Sequence, residues 1–286
     1  MDSKLMEKLI EQCLYEDIGN GDITTNCIVP LGGSTKGIIH TKQAGVIAGL
    51  GVAEGVFRFL SADITFNPKV QDGDKVKAGT IVAEVEGDAR AILTGERVAL
   101  NFLQHMSGIA TYTSQLAEKV KGYPVRVVDT RKTTPGLRMA EKYAVRTGGG
   151  YNHRYGLYDA VMIKDNHIKV AGGIAQAIAA AREKVSHMVK IEVEVEDLAG
   201  VAEALHGKAD VIMLDNMDIT MMSQAVEMIG GSALVEASGG ISEDNIVLIA
   251  KTGVDIISVG SLTHSVKALD ISLDIGHIKV GRKELI

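Results

Sequence analysis

Between Arg126 and Lys169 the sequence carries nine lysines and arginines against four acids, although the 286-residue chain as a whole has a net charge of −6. Cations concentrated in one stretch of an acidic protein predict a pocket for a small anion rather than a broad nucleic-acid face. Asp129-Thr130-Arg131-Lys132 and Lys164-Asp165-Asn166-His167 each follow a short apolar run, and Asn152-His153-Arg154 follow Gly148-Gly149-Gly150. Charges at strand or loop ends are more often functional than charges along a helix. Arg131, Lys132, Arg154 and Lys164 are therefore candidate anion contacts, whereas Lys142 and Arg146 read as solvated helix charges. Guanidinium forks grip carboxylates and phosphates two-pronged, and lysine adds a point charge.

Other types of residue gather at later apolar runs: Glu194 and Glu196, Asp215 and Asn216, Ser238-Gly239-Gly240, and Gly260-Ser261. Glu192, Glu194 and Glu196 alternate along one strand and share a face. Glu192 should lie deepest and Glu196 should already be leaving the strand, so Glu194 is the expected contact. Carboxylates beside cations can hold Mg²⁺ or accept from sugar hydroxyls. Glycine-rich turns let backbone N–H groups approach a phosphate. Together these point to a ligand with a phosphate, a sugar and further carboxylates. G-x-S-x-G and H-E-x-x-H are absent, and no covalent nucleophile is evident. His153 and His167 lack a third donor at metal-ligand spacing. His153, beside Arg154, reads as an anion contact, and His167 equally as a residue that holds its loop.

The elements that must position these groups follow from periodicity. Residues 3–15 predict an amphipathic helix, and 16–25 (EDIGNGDITT) a turn-rich loop. Residues 35–90 predict short strands around a helix over 51–60, and DGDKVKAGTIVAEVEG reads as scaffold sheet despite turn chemistry like that of a biotinyl carrier. A long helical region from Arg90 should be interrupted at Gly95 and Gly108. Thr134 as cap and Pro135 as first residue predict a helix ending at the triple glycine. Strand candidates then recur at 125–130, 160–164, 189–195, 210–215, 233–237 and 255–259, with helical stretches between. Units of this kind form a parallel sheet covered on both faces. Six in series predict a closed α/β barrel, with an open doubly wound sheet as the alternative. In a barrel the chemistry sits at the strand ends.

The composition, 46% hydrophobic and 23% charged, is that of a soluble globular protein. The start, MDSKLMEKLIEQ, is not a secretory signal, and no run approaches the roughly 20 apolar residues of a membrane span. Cys13 on a helical stripe and Cys27 in a loop-like context form no framework, so a cytoplasmic location is expected.

GERVALNFLQHMSGIAT, DTRKTTPGLR, KYAVRTGGGYNHR and GLYDAVMIKDNH, with EDIGNGDITT near the start, resemble quinolinate phosphoribosyltransferases over essentially the whole chain. The resemblance implies an N-terminal α/β sandwich over 1–110, joined by 270–286, and an incomplete, six- to seven-stranded parallel α/β barrel over 111–269. It implies transfer of phosphoribosyl from phosphoribosyl pyrophosphate to quinolinate with decarboxylation. Mg²⁺ is the implied cofactor, with Glu194 and Asp215 facing it and the ribose. Thr130, Arg131, Lys132, His153, Arg154 and Lys164 would bind the pyridine carboxylates and pyrophosphate. Lys132, Lys164, Glu194 and Asp215 are the implied catalytic groups. Ser238, Gly239 and Gly240, with Val259, Gly260 and Ser261, would cradle the 5′-phosphate. A homodimer, or a multiple of it, is implied, with Arg97 reaching the partner's site; neither nucleic acid nor membrane is an expected partner. The alternatives are a related enzyme with another aromatic acceptor and a phosphometabolite-binding protein without turnover.

Overall fold

The first apolar stripe builds α1 (Ser3–Ile18), buried through Met6, Ile10 and Leu14. The computed structural model describes residues 3–278. In chain order, α2 (Ile23–Ile28), β1 (Ser34–Thr41), β2 (Gly45–Val46), α3 (Leu50–Leu60), β3 (Thr65–Pro68), β4 (Lys75–Val76), β5 (Ile81–Asp88) and α4 (Ala89–Lys119) follow. Next come β6 (Arg126–Val128), α5 (Arg138–Thr147), β7 (Val161–Ile163), α6 (Asp165–Ala171), α7 (Ile174–Lys184), β8 (Ile191–Val195) and α8 (Leu198–His206). The rest are β9 (Val211–Asp215), α9 (Ile219–Ile229), β10 (Leu234–Ser238), α10 (Ile246–Lys251), β11 (Ile256–Ser258), α11 (Ser261–His264) and β12 (Ile271–Ile275).

The chain divides into two bodies. The first takes residues up to Tyr112, Met139–Gly148, and Val266 onward. Its main sheet has the order β12-β1-β5-β3, antiparallel throughout. The late strand β12 thus pairs with the early β1, Ile39 opposite Leu273. Of the segment 270–286, residues 279–286 lie outside the described residues. The core of this body includes Ile39, Phe57, Ile92, Leu103 and Met106, all fully buried.

The 16–25 stretch is largely helical: α1 runs to Ile18, and Asp22 caps α2 by accepting from Thr25 N–H at 2.9 Å. Cys27 is therefore helical. Gly95 and Gly108 do not interrupt α4; they are where neighbours come closest. A Cβ on Gly108 would stand 2.4 Å from the Lys267 carbonyl oxygen. Gly108→Ala, despite its better helix propensity, is expected to lower stability by about 1–3 kcal/mol through overpacking. Urea denaturation checks this, and an unchanged or higher midpoint would refute it. Gly136, at φ +81°, makes Thr134–Leu137 a turn, so α5 starts at Arg138 rather than at Pro135. Lys142 is not solvated: it is 3% exposed, beside the fully buried Glu141.

The second body holds a six-stranded parallel sheet in the order β6-β11-β10-β9-β8-β7. The first strand of this series pairs with the last, as barrel closure requires and a doubly wound sheet does not. On the other side of β6, Tyr151 makes a parallel bridge to Val128, a one-residue seventh strand. Residue 151 and β7 are not paired, so the barrel is incomplete. The outward faces of the strands are apolar, with Val193, Ile212, Leu214 and Ala237 fully buried, as helices on the outside demand.

Candidate active site

Strand polarity decides where this body can do chemistry: six parallel strands deliver their C-terminal residues to the same rim. That rim surrounds a cavity of about 540 Å³. Thr130, Arg131 and Lys132 enter it after β6, His153 and Arg154 after the Tyr151 bridge, and Lys164 after β7. Glu194 comes from β8, Asp215 from β9, and Ser238, Gly239 and Gly240 from β10. Five cationic or potentially cationic side chains thus face three carboxylates, Glu194, Asp215 and Glu236.

Each group is held by a local device. The buried Asp129 carboxylate ends β6 and accepts from Asn152 Nδ2 at 2.5 Å and from His153 N–H at 2.9 Å. It thereby ties the Arg131 loop to the His153 loop. Arg138 donates to Thr133 Oγ1 (2.9 Å) and to the Tyr155 carbonyl (3.0 Å), bracing the same two loops. Thr263 Oγ1 donates to the Lys132 carbonyl at 2.7 Å. The His167 ring sits at the start of α6, where Nδ1 accepts from Lys164 N–H at 3.0 Å, so His167 is a capping residue. Lys164 Nζ is ion-paired with Glu194. Arg154 donates to the Ala160 carbonyl at 3.3 Å, and burial, then the like charge of Arg131, holds its guanidinium below the usual range. Arg131 Nε is buried without a protein acceptor, a donor aimed at something else.

The Ser238-Gly239-Gly240 turn demands glycine at 239 and favours it at 240. Gly239 and Gly240 have φ of +93° and +60°, and a Cβ on Gly239 would fall 2.1 Å from Asn216 Oδ1. Asn216 itself is left-handed, at φ 54°, and donates its backbone N–H to the Ser238 carbonyl at 2.9 Å. The two βα-loops are thereby locked together.

Not every expected residue reaches the cavity. Val259, Gly260 and Ser261 are outside the lining, which takes Ser258 instead; Val259 is 1% exposed and turned into the core. Lys132 packs over Gly260, whose added Cβ would stand 3.1 Å from Lys132 Cδ. Arg97 lies on α4 in the first body, its side chain 58% exposed, and it is not a lining residue. Asn216, beside Asp215 at its strand end, lines the cavity, and Met162, Met213, Glu236 and Ser258 line it unexpectedly. For these four, the alternation of strand side chains was the available signal. Each stands two residues before an expected rim residue: Met162 before Lys164, Met213 before Asp215, Glu236 before Ser238, and Ser258 before Gly260.

His153 also meets two acids, without His167, that its local sequence does not show. Its Nε2 lies 3.1 Å from Glu192 Oε2 and 3.5 Å from Glu236 Oε2. Among the described residues, these three form a cluster whose donor atoms lie within 4.8 Å of one another. Burial pulls the ring's proton affinity down, but the hydrogen bonds and charges of Glu192 and Glu236 more than offset it and push its pKa up to about 10. The Glu192 carboxyl is also raised, by burial first and by the Glu236 charge. Arg154 N–H donates to Nδ1 at 2.8 Å, so the proton that this cluster retains is shared along Nε2 and the carboxylates.

A group whose affinity for protons rises on folding stabilises the fold below its unfolded pKa, about 6.5 for histidine, and loses that contribution as pH rises through the folded value. Stability should therefore fall from about pH 6.5 toward about 10 more steeply in the native chain than in His153→Gln. Parallel urea-midpoint profiles would contradict this.

The chain matches the family described as quinolinate phosphoribosyl transferase, its N-terminal domain over residues 22–107 and its C-terminal domain over 109–274. It is 45% identical over 270 residues to a probable carboxylating nicotinate-nucleotide pyrophosphorylase of Bacillus subtilis, covering 94% of this chain and 93% of that one. A protein of the same description from Methanocaldococcus jannaschii is 45% identical, over 94% and 96% of the two chains. The solved nicotinate-nucleotide pyrophosphorylase of Francisella tularensis superposes with a TM-score of 0.92 at 42% identity, over 96% and 97% of the chains.

Proposed function

The chain belongs to the quinolinate phosphoribosyl transferase family, and from that premise we propose how its cavity works. The enzyme transfers phosphoribosyl from phosphoribosyl pyrophosphate to quinolinate, releasing nicotinate mononucleotide, pyrophosphate and CO₂ for NAD biosynthesis. The observation that carries the assignment of the site is the single cavity in which Arg131, Lys132, His153, Arg154 and Lys164 meet Glu194 and Asp215.

Both substrates are polyanions, and bringing them together is the main task. Arg131 and Arg154 take the pyridine carboxylates, with the His153 ring, whose two nitrogens are engaged within the protein, lining the cavity beside them; Lys132 and Lys164 take the pyrophosphate, with Thr130 nearby. The buried, unpaired Arg131 Nε supports an anion at that corner. The Ser238–Gly240 turn offers backbone N–H groups to the 5′-phosphate, and the loop at Val259, Gly260 and Ser261 closes the same side. As pyrophosphate departs, positive charge grows on the sugar, where Glu194 and Asp215 stabilise it. The pyridine nitrogen bonds to the anomeric carbon as the bond to pyrophosphate breaks. The ring, now cationic, accepts the electron pair left at C2 when the adjacent carboxylate leaves as CO₂, and C2 then takes a proton.

Mg²⁺ suits this donor set, since Glu194 and Asp215 are hard oxygen ligands in a cavity that also receives phosphate oxygens. The imidazole-containing cluster of His153, Glu192 and Glu236 fits Mg²⁺ less well. Glu194 and Asp215 would hold the ion, which when bound neutralises charge on the leaving pyrophosphate. The enzyme acts as a homodimer or a multiple of it, with Arg97 completing the partner's site, a reading that its exposure on α4 supports. Two free cysteines support a cytoplasmic location, and among the described residues no helix is long and apolar enough to cross a membrane.

Supplying phosphoribosyl pyrophosphate and Mg²⁺ with either quinolinate or nicotinate tests the assignment. Nicotinate mononucleotide and CO₂ should form from quinolinate. Product from nicotinate alone would mean another acceptor, and binding without product would mean no turnover.

A further inference from the structure

The mechanism above lines the cavity with His153 but leaves two buried acids beneath it unused. Glu192 and Glu236 have side chains 7% and 2% exposed, on β8 and β10. Both aim at His153 Nε2, Glu192 through two oxygens at 3.1 and 3.4 Å and Glu236 through one at 3.5 Å. Glu236 also lines the cavity, and its second oxygen, Oε1, is buried with no hydrogen-bond partner. Carboxylates are costly in such a place. They are desolvated, close to each other, and face a chamber built for anions, where bare negative charge would repel the substrate. The His153 main chain is fixed independently, its N–H by Asp129 Oδ1 at 2.9 Å, and its ring Nδ1 receives the Arg154 N–H at 2.8 Å. The ring is therefore clamped from both nitrogens, with the two carboxylates on its Nε2 side.

We propose that Glu192 and Glu236 are positioning residues for His153: they orient the imidazole from the cavity floor, and His153 in return shields both carboxylates from the anionic acceptor. This rests on reading the cavity as the quinolinate site. The dependence is reciprocal, so the three residues act as a unit. Loss of His153 alone exposes two buried negative charges to the substrate. Loss of the acids alone frees the ring to turn, and loss of all three removes the repulsion together with the contact.

Four proteins test this: the native enzyme, His153→Ala, Glu192→Gln with Glu236→Gln, and all three changes combined. His153→Ala should lose about 100-fold in kcat/KM for quinolinate, and the triple variant should regain about tenfold of that. The double glutamine variant should raise KM for quinolinate about tenfold while KM for phosphoribosyl pyrophosphate stays within about twofold. If His153→Ala does not fold, His153→Gln replaces it in both sets. A triple variant no better than the single, or a double variant with native kinetics, overturns the proposal.

Nitrogen-15 histidine spectra of the unliganded protein give a readout independent of the substrate assignment. The His153 ring should show a slowly exchanging Nε2 proton in the native chain, with Nδ1 the acceptor; in the double glutamine variant that proton should exchange faster and the Nε2 resonance should shift. An identical His153 signature in the two proteins overturns the proposal even if quinolinate is the substrate. A native chain inactive on quinolinate but showing the expected spectral change would keep the clamp and refute the substrate assignment. Manganese(II) binding to the unliganded native protein that disappears in His153→Ala would overturn the shielding role in favour of a metal site.

Discussion

Lys164→Ala should lower kcat/KM for quinolinate by at least about 100-fold while leaving the fold intact. Two effects combine. The ammonium leaves a cavity that must hold two polyanions together, and its ion-pair partner Glu194, 15% exposed, is stranded there as a bare carboxylate. An unpaired, partly buried charge costs more than the pair contributed, and here it also stands where the substrate's own negative charge arrives. Lys164 is itself 43% exposed, so little packing is lost, and the thermal midpoint should move by only a few degrees, ~2–4 °C. Steady-state kinetics beside a melting curve check both halves. Kinetics within about threefold of native would show that the substrate's charge is met elsewhere.

Mixing two inactive proteins should restore activity. Arg97→Ala keeps an intact barrel, whereas Lys164→Ala keeps an intact Arg97. If Arg97 serves the partner's site, a hybrid dimer has one complete site and one doubly damaged site. Random subunit exchange makes half of the dimers hybrid, so about a quarter of native activity should return. The recovery needs no new contact, only a shared site. No recovery, with exchange demonstrated by differently tagged subunits, would place Arg97 in its own chain's chemistry or in none.

Particular residues show how far the sequence could be read. β8, β9 and β10 were legible within two residues at either end, because a short apolar run between helical stretches has few other solutions. Arg131, Lys132, Arg154, Lys164, Glu194 and Asp215 all reach one cavity, because strand polarity alone sends strand ends to one rim. Thr134-Pro135 suits a turn as well as a helix N-terminus, and the positive φ of Gly136 chooses the turn, which puts the start of α5 at Arg138. Gly95 and Gly108 looked like breaks in α4, yet they mark close approach of distant chain, which no local pattern records. Lys142 looked solvated because amphipathicity describes one helix face and not what covers the other.

The amino-acid sequence by itself determined the series of parallel βα units, the inventory of cations and acids, and the rim to which they go; the β6–β11 pairing closed that series into a barrel. Those depend on side-chain periodicity and chain direction, which are local properties. Only the tertiary structure decided which charges meet which. His153 joins Glu192 and Glu236 across 39 and 83 residues of chain, and Asp129 holds Asn152 and His153 across 23 and 24. Such pairings depend on sheet register and loop closure, where a shift of one residue turns a side chain from the lumen to the core.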